Sequence, residues 1–348
     1  MPWIKVAESG WVPDFIIRRG IHSLLKFRLD EQAITMGKDL RAAKQAFVEE
    51  LRGQPIAIET DKANEQHYEL PPEFFVMSLG DHLKYSSCFY ETFTESLSVA
   101  EKKMLELTCE RAELAPGQKV LELGCGWGSL TLFMAARFPG SHFTAVSNSK
   151  PQREYILSQA KARGISNVEV ITSDINHLEL PENQFDRVVS VEMFEHLRNY
   201  EMLFQKIARW LKADGKMFVH IFCHRQLAYP FETEGNHNWM GRYFFTGGLM
   251  PSMDLFEYFQ KDLSIEKTWS VDGRHYERTS NQWLEKLDQN RDKILEVFTK
   301  TYGAEARVWL QRWRIFYMSV AELFGYNHGQ EWLVAHYLFK KGAVPKVA

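Results

Sequence analysis

The stretch "VLELGCGWGS", Val120 to Ser129, decides how the rest of this chain is read. Val120-Leu121-Glu122-Leu123 is a short, mainly apolar run of the kind that forms a buried strand. Gly124, Gly126 and Gly128 follow at once, and "SLTLFMAARF" then has helical spacing. Glycines let a backbone turn tightly and bring a ligand close to the peptide chain. The loop alone does not name its ligand, because nicotinamide, flavin and S-adenosylmethionine sites all use one.

Working outward, the same rhythm repeats. "HFTAVS", "NVEVIT", "FDRVVSVE" and "GKMFVHIF" read as further strands. "PQREYILSQAKARG", opened by Pro151 and closed by Gly164, and "YEMLFQKIARWLKADG" read as helices. "SIEKTWSVDG" and "EWLVAHYLFKK" add two late strands, with helices over 280–324 between them. Strands alternating with helices predict an α/β fold with a doubly wound, mostly parallel, seven-stranded sheet. Its ligands should lie beyond the carboxyl ends of the strands. Four segments are expected: a helical N-terminal extension (1–80), a cofactor-binding core (81–223), a lid with the sixth strand and a helical substrate-pocket insertion (224–324), and the last strand with its tail (325–348). Within the extension, "WVPDFIIRRGIHSLLKFRL" sets Phe15, Ile16, Leu24, Leu25 and Leu29 against Arg18, Arg19, Lys26 and Arg28. This predicts a helix packed on the main domain with a solvated basic face, or one that touches a membrane surface. "DEQAITMGKDLRAAKQAFVEELRG" reads as a second helix, and "ELPPEFFVMSLG" as a Pro-marked loop.

Composition narrows the partners. A formal charge of −3 offers no basic face for nucleic acid. Cys88, Cys109, Cys125 and Cys223 are far apart and form no CxxC pair, which fits a reducing compartment and argues against a disulfide or zinc framework. The N-terminal "MPWIKVAESG" lacks a charged-then-apolar signal pattern, so the cytoplasm is expected. His220 and His224 are four apart, but "FVHIFCHR" reads as strand, so no metal site is expected.

Two details discriminate among the cofactors. The spacing is G-x-G-x-G, not the G-x-G-x-x-G of dinucleotide binding. The end of strand two reads Val146-Ser147-Asn148, without the acid that a dinucleotide ribose requires. Glu122, inside strand one, is placed to meet a cationic amino-acid end, and Asp174 with Ile175 after strand three to meet an adenine. Together these match the S-adenosylmethionine-dependent class I, Rossmann-like methyltransferase pattern.

"VLELGCGWG", "AVSNSKPQ" and "FEH" together resemble the cyclopropane-fatty-acid synthase superfamily of methyltransferases. Within it the sequence is more similar to the coclaurine N-methyltransferases, through "SNSKPQREYI", "VEMFEHLRNY", "FVHIFCHR", "VDGRHYERTSNQW" and "RIFYMSVAELFGYNHGQEWLVAHYLFKK". The likeness spans roughly residues 60–342. It implies that Tyr85 and Ser86 close over S-adenosylmethionine, that Gly124 and Gly126 meet its backbone, that Ser147 and Gln152 meet its ribose, and that Asp174 and Ile175 meet its adenine. It further implies that Glu192, Glu195 and His196 line an amine pocket. Phe316, Phe324 and Trp332 fall in segments that match the pocket region. Cyclopropane synthases hold a bicarbonate with a cysteine where this chain has Ser87; Glu195, His220 and Tyr276 match the other residues of that site.

Methyl transfer from a sulfonium requires a lone pair about 3 Å from the methyl carbon. An alkyl amine is protonated at neutral pH, so a base must take its proton. Glu192, Glu195 and His196 suit this: one carboxylate attracts the ammonium, and His196 removes the proton. The expected activity is methylation of a small, aromatic or alkaloid-like amine. Methylation of lipid carbon, as in cyclopropane formation, is the alternative, and a non-catalytic cofactor-binding protein is a third. The expected partners are a small-molecule amine and a second copy of the chain.

Overall fold

The computed structural model describes residues 2–37, 39–58, 70–235 and 237–342. At its centre is a seven-stranded sheet in the order β3-β2-β1-β4-β5-β9-β8. The strands are β1 (Lys119–Leu123), β2 (His142–Ser147), β3 (Val168–Thr172), β4 (Phe185–Val191), β5 (Leu211–His224), β8 (Leu263–Val271) and β9 (Trp332–Lys341). Neighbours from β3 through β5 run parallel, while β9 is antiparallel to both β5 and β8. β6 (Tyr229–Pro230) and β7 (Leu249–Met250) form a separate small pair. The order reverses at β1 and β4, the switch point where a ligand is expected. Every residue of β1 after Lys119 is buried, as helices on both faces of a parallel sheet require.

The helices flank this sheet. α1 (Pro2–Glu8), α2 (Asp14–Met36), α3 (Leu40–Arg52), α4 (Pro72–Ser78) and α5 (Leu97–Arg111) precede β1. α6 (Ser129–Arg137) and α7 (Lys150–Ala162) follow β1 and β2, and α8 (Tyr200–Trp210) joins β4 to β5. The short α9 (Trp239–Tyr243) lies between β6 and β7. α10 (Gly273–Gln289), α11 (Arg291–Tyr302) and α12 (Ala306–Gly325) form an insertion before the last strand. An aromatic-rich cluster including Trp283, Trp313, Phe316, Tyr317 and Phe324 joins this insertion to α2 and α4.

Several expectations are corrected. The first helix does not stop before Asp30 but runs to Met36 and breaks at Gly37, whose φ of +62° favours glycine. On α2, Phe15, Ile16 and Leu24 are exposed, and Ile17 and Ile21 form the buried face. Arg18 is only partly exposed and donates to Glu322 and Asn281, clamping α2 to the insertion. "PPEFFVMS" is helical instead of a loop, because Pro72 stands in the first turn where no backbone donor is needed. α8 ends at Trp210, and "LKADG" already belongs to β5. The insertion helices begin at Gly273 and not near 280. Here the φ is not at issue: a Cβ at Gly273 would lie 2.3 Å from the carbonyl oxygens of Phe324 and Trp332.

Candidate active site

A cavity opens over the carboxyl ends of β1, β2 and β4, at the switch point. Its lining includes Tyr85, Ser86, Glu122, Gly124, Gly126, Ser147, Gln152, Ile175, Glu192 and His196. The glycine loop runs at positive φ, +77° at Gly124 and +51° at Gly126. A Cβ at Gly124 would fall 2.5 Å from Met193 Cγ, whereas one at Gly126 would meet nothing within 4 Å. The loop therefore packs on the segment after β4 at one glycine and is open at the other.

Local hydrogen bonds set the polar groups. Ser149 N–H donates to Ser147 Oγ at 3.0 Å, so the Ser147 hydroxyl proton turns to Gln152 Oε1 at 2.6 Å. That fixes the Gln152 amide with its Nε2 donor buried and without a protein partner. Glu122 is buried in the cavity floor and accepts from Thr131 Oγ1 at 2.5 Å. Burial pushes its pKa up to about 8, against the opposing effect of the Thr131 bond. Asp174, beyond β3, has Oδ1 committed to Asn176 N–H at 2.7 Å, while Ser173 and Ile175 beside it face the cavity. An orphaned amide donor, a carboxyl and an open glycine fit S-adenosylmethionine: Gln152 would hold ribose hydroxyls, Glu122 the amino-acid end and Ile175 the adenine.

The wall above this floor comes from residues 80–88. Glu101, missed in the sequence, accepts from the N–H groups of Gly80, His82 and Lys84 and so holds the loop bearing Tyr85 and Ser86. Lys84, also missed, is 2% exposed; its Nζ donates to Ser86 Oγ and Ser87 O at 2.5 and 2.7 Å. Burial lowers its pKa, with Cys88, Glu192 and Glu101 opposing. Their signal in the sequence was weak, since a single Lys on a loop or a single Glu on a helix looks solvated.

Glu192 stands where β4 ends, at a φ of +46°, a conformation uncommon for a non-glycine residue. Ser87 N–H donates to its Oε1 at 2.9 Å and Tyr276 O–H to its Oε2 at 2.6 Å. His220 Nε2 also lies 3.1 Å from Oε1. Burial raises the pKa of Glu192, while Lys84, the Tyr276 bond and the Ser87 N–H oppose the rise. Glu195 is fully buried, and its Oε1 accepts from Phe222 N–H at 2.7 Å. Burial, then the Glu192 charge, push its pKa well above the carboxylate range. Two carboxylates in one buried site favour ionisation of only one, and the donors are gathered on Glu192. His196 has its pKa lowered to about 4 by burial and by Arg198, so its imidazole is neutral.

The expected substrate residues separate. Phe245 stacks on His196 with centroids 5.5 Å apart, and Phe222 lies edge-on to Phe245. Phe324 stacks on Tyr276 at 4.4 Å, and Phe316 on Phe244 at 4.3 Å. These rings form a continuous aromatic mass beside Glu192 and His196. Trp332 is farther along β9, where Nε1 donates to Tyr229 O–H and the ring meets His224 and Tyr326 edge-on. His220 lies behind Glu192, fully buried, and Tyr276 bridges Glu192 to the insertion. Among the described residues no cluster of His, Cys, Asp or Glu could hold a metal ion.

The mycolic acid cyclopropane synthetase family profile matches residues 57–328. The chain is 40% identical to the (S)-coclaurine N-methyltransferase of Thalictrum flavum subsp. glaucum, over 97% of this chain and 95% of that protein. It is 38% identical to the (S)-coclaurine N-methyltransferase of Papaver somniferum, over 97% of each. The crystal structure of a coclaurine N-methyltransferase bound to N-methylheliamine and S-adenosylhomocysteine superimposes with a TM-score of 0.94 at 39% identity, covering 98% of this chain and 99% of that one. A glycine loop facing an orphaned donor, the doubly wound sheet around it and these likenesses agree: the chain belongs to the S-adenosylmethionine-dependent methyltransferase family that includes the cyclopropane synthetases and the coclaurine N-methyltransferases.

Proposed function

We propose that this methyltransferase acts on the nitrogen of a small aromatic amine of the tetrahydroisoquinoline type. The observation that carries the reading is the Glu192 carboxylate, held by Ser87 N–H and Tyr276 O–H with His220 beside it. His220 and Tyr276 are residues that the resemblance assigned to a bicarbonate. An internal carboxylate occupies them here, and Ser87 stands in place of the cysteine. That leaves an external bicarbonate without its donors and disfavours cyclopropane formation.

S-adenosylmethionine, the methyl donor, supplies an electrophilic methyl group on a sulfonium. Glu192 draws the ammonium into the site by its charge. The aromatic surroundings lower the ammonium's own pKa by desolvation. His196, stacked on Phe245, takes the proton on a ring nitrogen only once desolvation has brought the ammonium's pKa down toward the imidazole's own lowered one. Glu195, held neutral, adds a hydrogen-bonding group without a second charge. The amine lone pair is then free, and the rings beside Glu192 and His196 would hold it toward the methyl group of the bound donor.

Two features of the whole chain belong to the same proposal. A homodimer would cover the exposed Trp11, Phe15, Ile16 and Ile34 of the N-terminal region, which sizing chromatography reads. The cytoplasm suits four free, buried cysteines; among the described residues no helix is long and apolar enough to cross a membrane.

The test incubates purified protein and S-adenosylmethionine with tetrahydroisoquinolines, simple alkylamines or unsaturated phospholipid vesicles, and measures S-adenosylhomocysteine by mass spectrometry. Release with cyclic aromatic amines, lost in His196→Ala, supports the reading. Release with vesicles alone overturns it.

A further inference from the structure

Behind Glu192 a line of hydrogen bonds leaves the cavity and crosses the sheet. His220 Nδ1 lies 2.9 Å from His336 Nε2, and His336 Nδ1 lies 2.7 Å from Arg111 Nη1. Strand register makes this line possible. Trp269 of β8, His336 of β9 and His220 of β5 are directly paired across the antiparallel ladders. Directly paired residues share a face of the sheet, so both imidazoles point toward α5. Arg111, the last residue of α5, reaches them with its guanidinium 5.0 Å from the Trp269 ring centre. Both histidines are fully buried, and Arg111 is partly buried.

The chemistry of the donors gives this line one direction. A guanidinium has five N–H donors and no acceptor. His336 must therefore present a lone pair at Nδ1 and carry its proton on Nε2. That proton points at His220 Nδ1, which must accept it, so His220 carries its proton on Nε2 and donates to Glu192 Oε1. A charged imidazole at either position would set two N–H groups against each other. A proton on Glu192 Oε1 would face His220 Nε2–H in the same way.

We propose that Arg111 is a positioning residue for methyl transfer: it locks the tautomers of His336 and His220 so that Oε1 of Glu192 can only accept, which favours the carboxylate that meets the ammonium. The consequence for catalysis rests on the amine reading above, whereas the tautomer lock does not. Loss of Arg111 frees both imidazoles to reverse, and His220 can then offer Glu192 a lone pair, which stabilises the protonated acid.

The experiment uses full-length protein labelled with 15N at histidine, with the two ring systems assigned by their loss in His220→Gln and His336→Gln. Long-range 1H–15N correlation spectra are expected to show pyridine-type Nδ1 and pyrrole-type Nε2 at both residues. Arg111→Met is expected to abolish that pattern and to lower kcat/KM for the amine about tenfold, a loss typical of residues that orient a ligand through an intermediate. Arg111→Lys, which keeps a cationic donor, is expected to recover most of both. S-adenosylhomocysteine affinity by calorimetry should stay unchanged in Arg111→Met, which also shows that the variant is folded. A wild-type spectrum with Nδ1–H or a charged ring at either histidine overturns the proposal, as does an Arg111→Met variant with unchanged tautomers and turnover. The locked tautomers in a protein that methylates no amine would sink the amine reading while upholding the lock.

Discussion

Tyr276 on α10 donates its phenol to Glu192 Oε2 at 2.6 Å across 84 residues of sequence, tying the helical insertion to the end of β4. A hydrogen bond to a charged group contributes about 1.5–3 kcal/mol, or roughly tenfold or more in rate. Tyr276→Phe is therefore expected to lower kcat/KM for the amine by about tenfold. Glu192→Gln, which removes the charge itself, should cost about a hundredfold or more. Steady-state kinetics with the amine varied checks both, and a change confined to the KM for S-adenosylmethionine would contradict the assignment.

Gln152 offers a second test. Its amide is oriented by Ser147, and its buried Nε2 lacks a protein partner. Gln152→Ala is expected to weaken S-adenosylhomocysteine binding by about threefold to tenfold, the size of one neutral hydrogen bond. Turnover at saturating donor should be unchanged. Titration calorimetry and a donor-saturation curve separate the two.

Gly124 in the glycine loop and Gly140 outside it predict a contrast between two alanine substitutions. At Gly124 a methyl group would sit 2.5 Å from Met193 Cγ on a backbone with φ of +77°. Gly124→Ala should displace the loop from the segment before Glu195, destabilise the fold by about 1–3 kcal/mol and impair donor binding. At Gly140 nothing lies within 4 Å and φ is not positive, so Gly140→Ala is expected to be neutral. Urea unfolding and S-adenosylhomocysteine titration of both variants make the comparison.

Glu122 links the site to pH. Burial raises its folded pKa from 4.5 to about 8, so in the free protein it is mainly protonated at pH 7. A cationic amino-acid end favours the ionised form, so binding S-adenosylhomocysteine at pH 7 is expected to release a proton. Calorimetry in buffers of different ionisation enthalpy reads that proton, and Glu122→Gln should lose it. Stability has the opposite sense. Above pH 4.5 the unfolded chain loses this proton while the folded chain keeps it, so Glu122 costs stability as pH rises toward 8. Glu122→Gln should therefore gain on the wild type between pH 5 and 8, by a few kcal/mol at most, since each pKa unit is worth about 1.4 kcal/mol.

Much of the framework was legible because it depends on local pattern. Strands β1 to β5 announced themselves as apolar runs between glycine and proline signals, and the G-x-G-x-G spacing pointed to the donor before any contact was known. The apolar run "FDRVVSVE" marked a strand, and "FEH" follows directly beyond its end. Misreadings fell where local signals compete: Pro71 and Pro72 looked like a loop, yet proline suits a first helical turn. On α2 apolar residues occur on more than one face, and only packing against the insertion selects Ile17 and Ile21.

Local pattern along the chain was enough to read a parallel sheet that carries a glycine loop for S-adenosylmethionine, with Glu192, Glu195 and His196 just past the fourth strand. Tertiary structure alone decided which glutamate gathers the hydrogen-bond donors that favour a charge. Ser87, His220 and Tyr276 come from three distant segments, and their donors meet only on Glu192. Glu195, three residues on, is fully buried and instead accepts from Phe222 N–H. Ionisation depends on donors and burial within a few ångströms, and strand register, not spacing along the chain, sets those distances. The same register aligns Arg111 and His336 behind His220, a relation that no short motif contains.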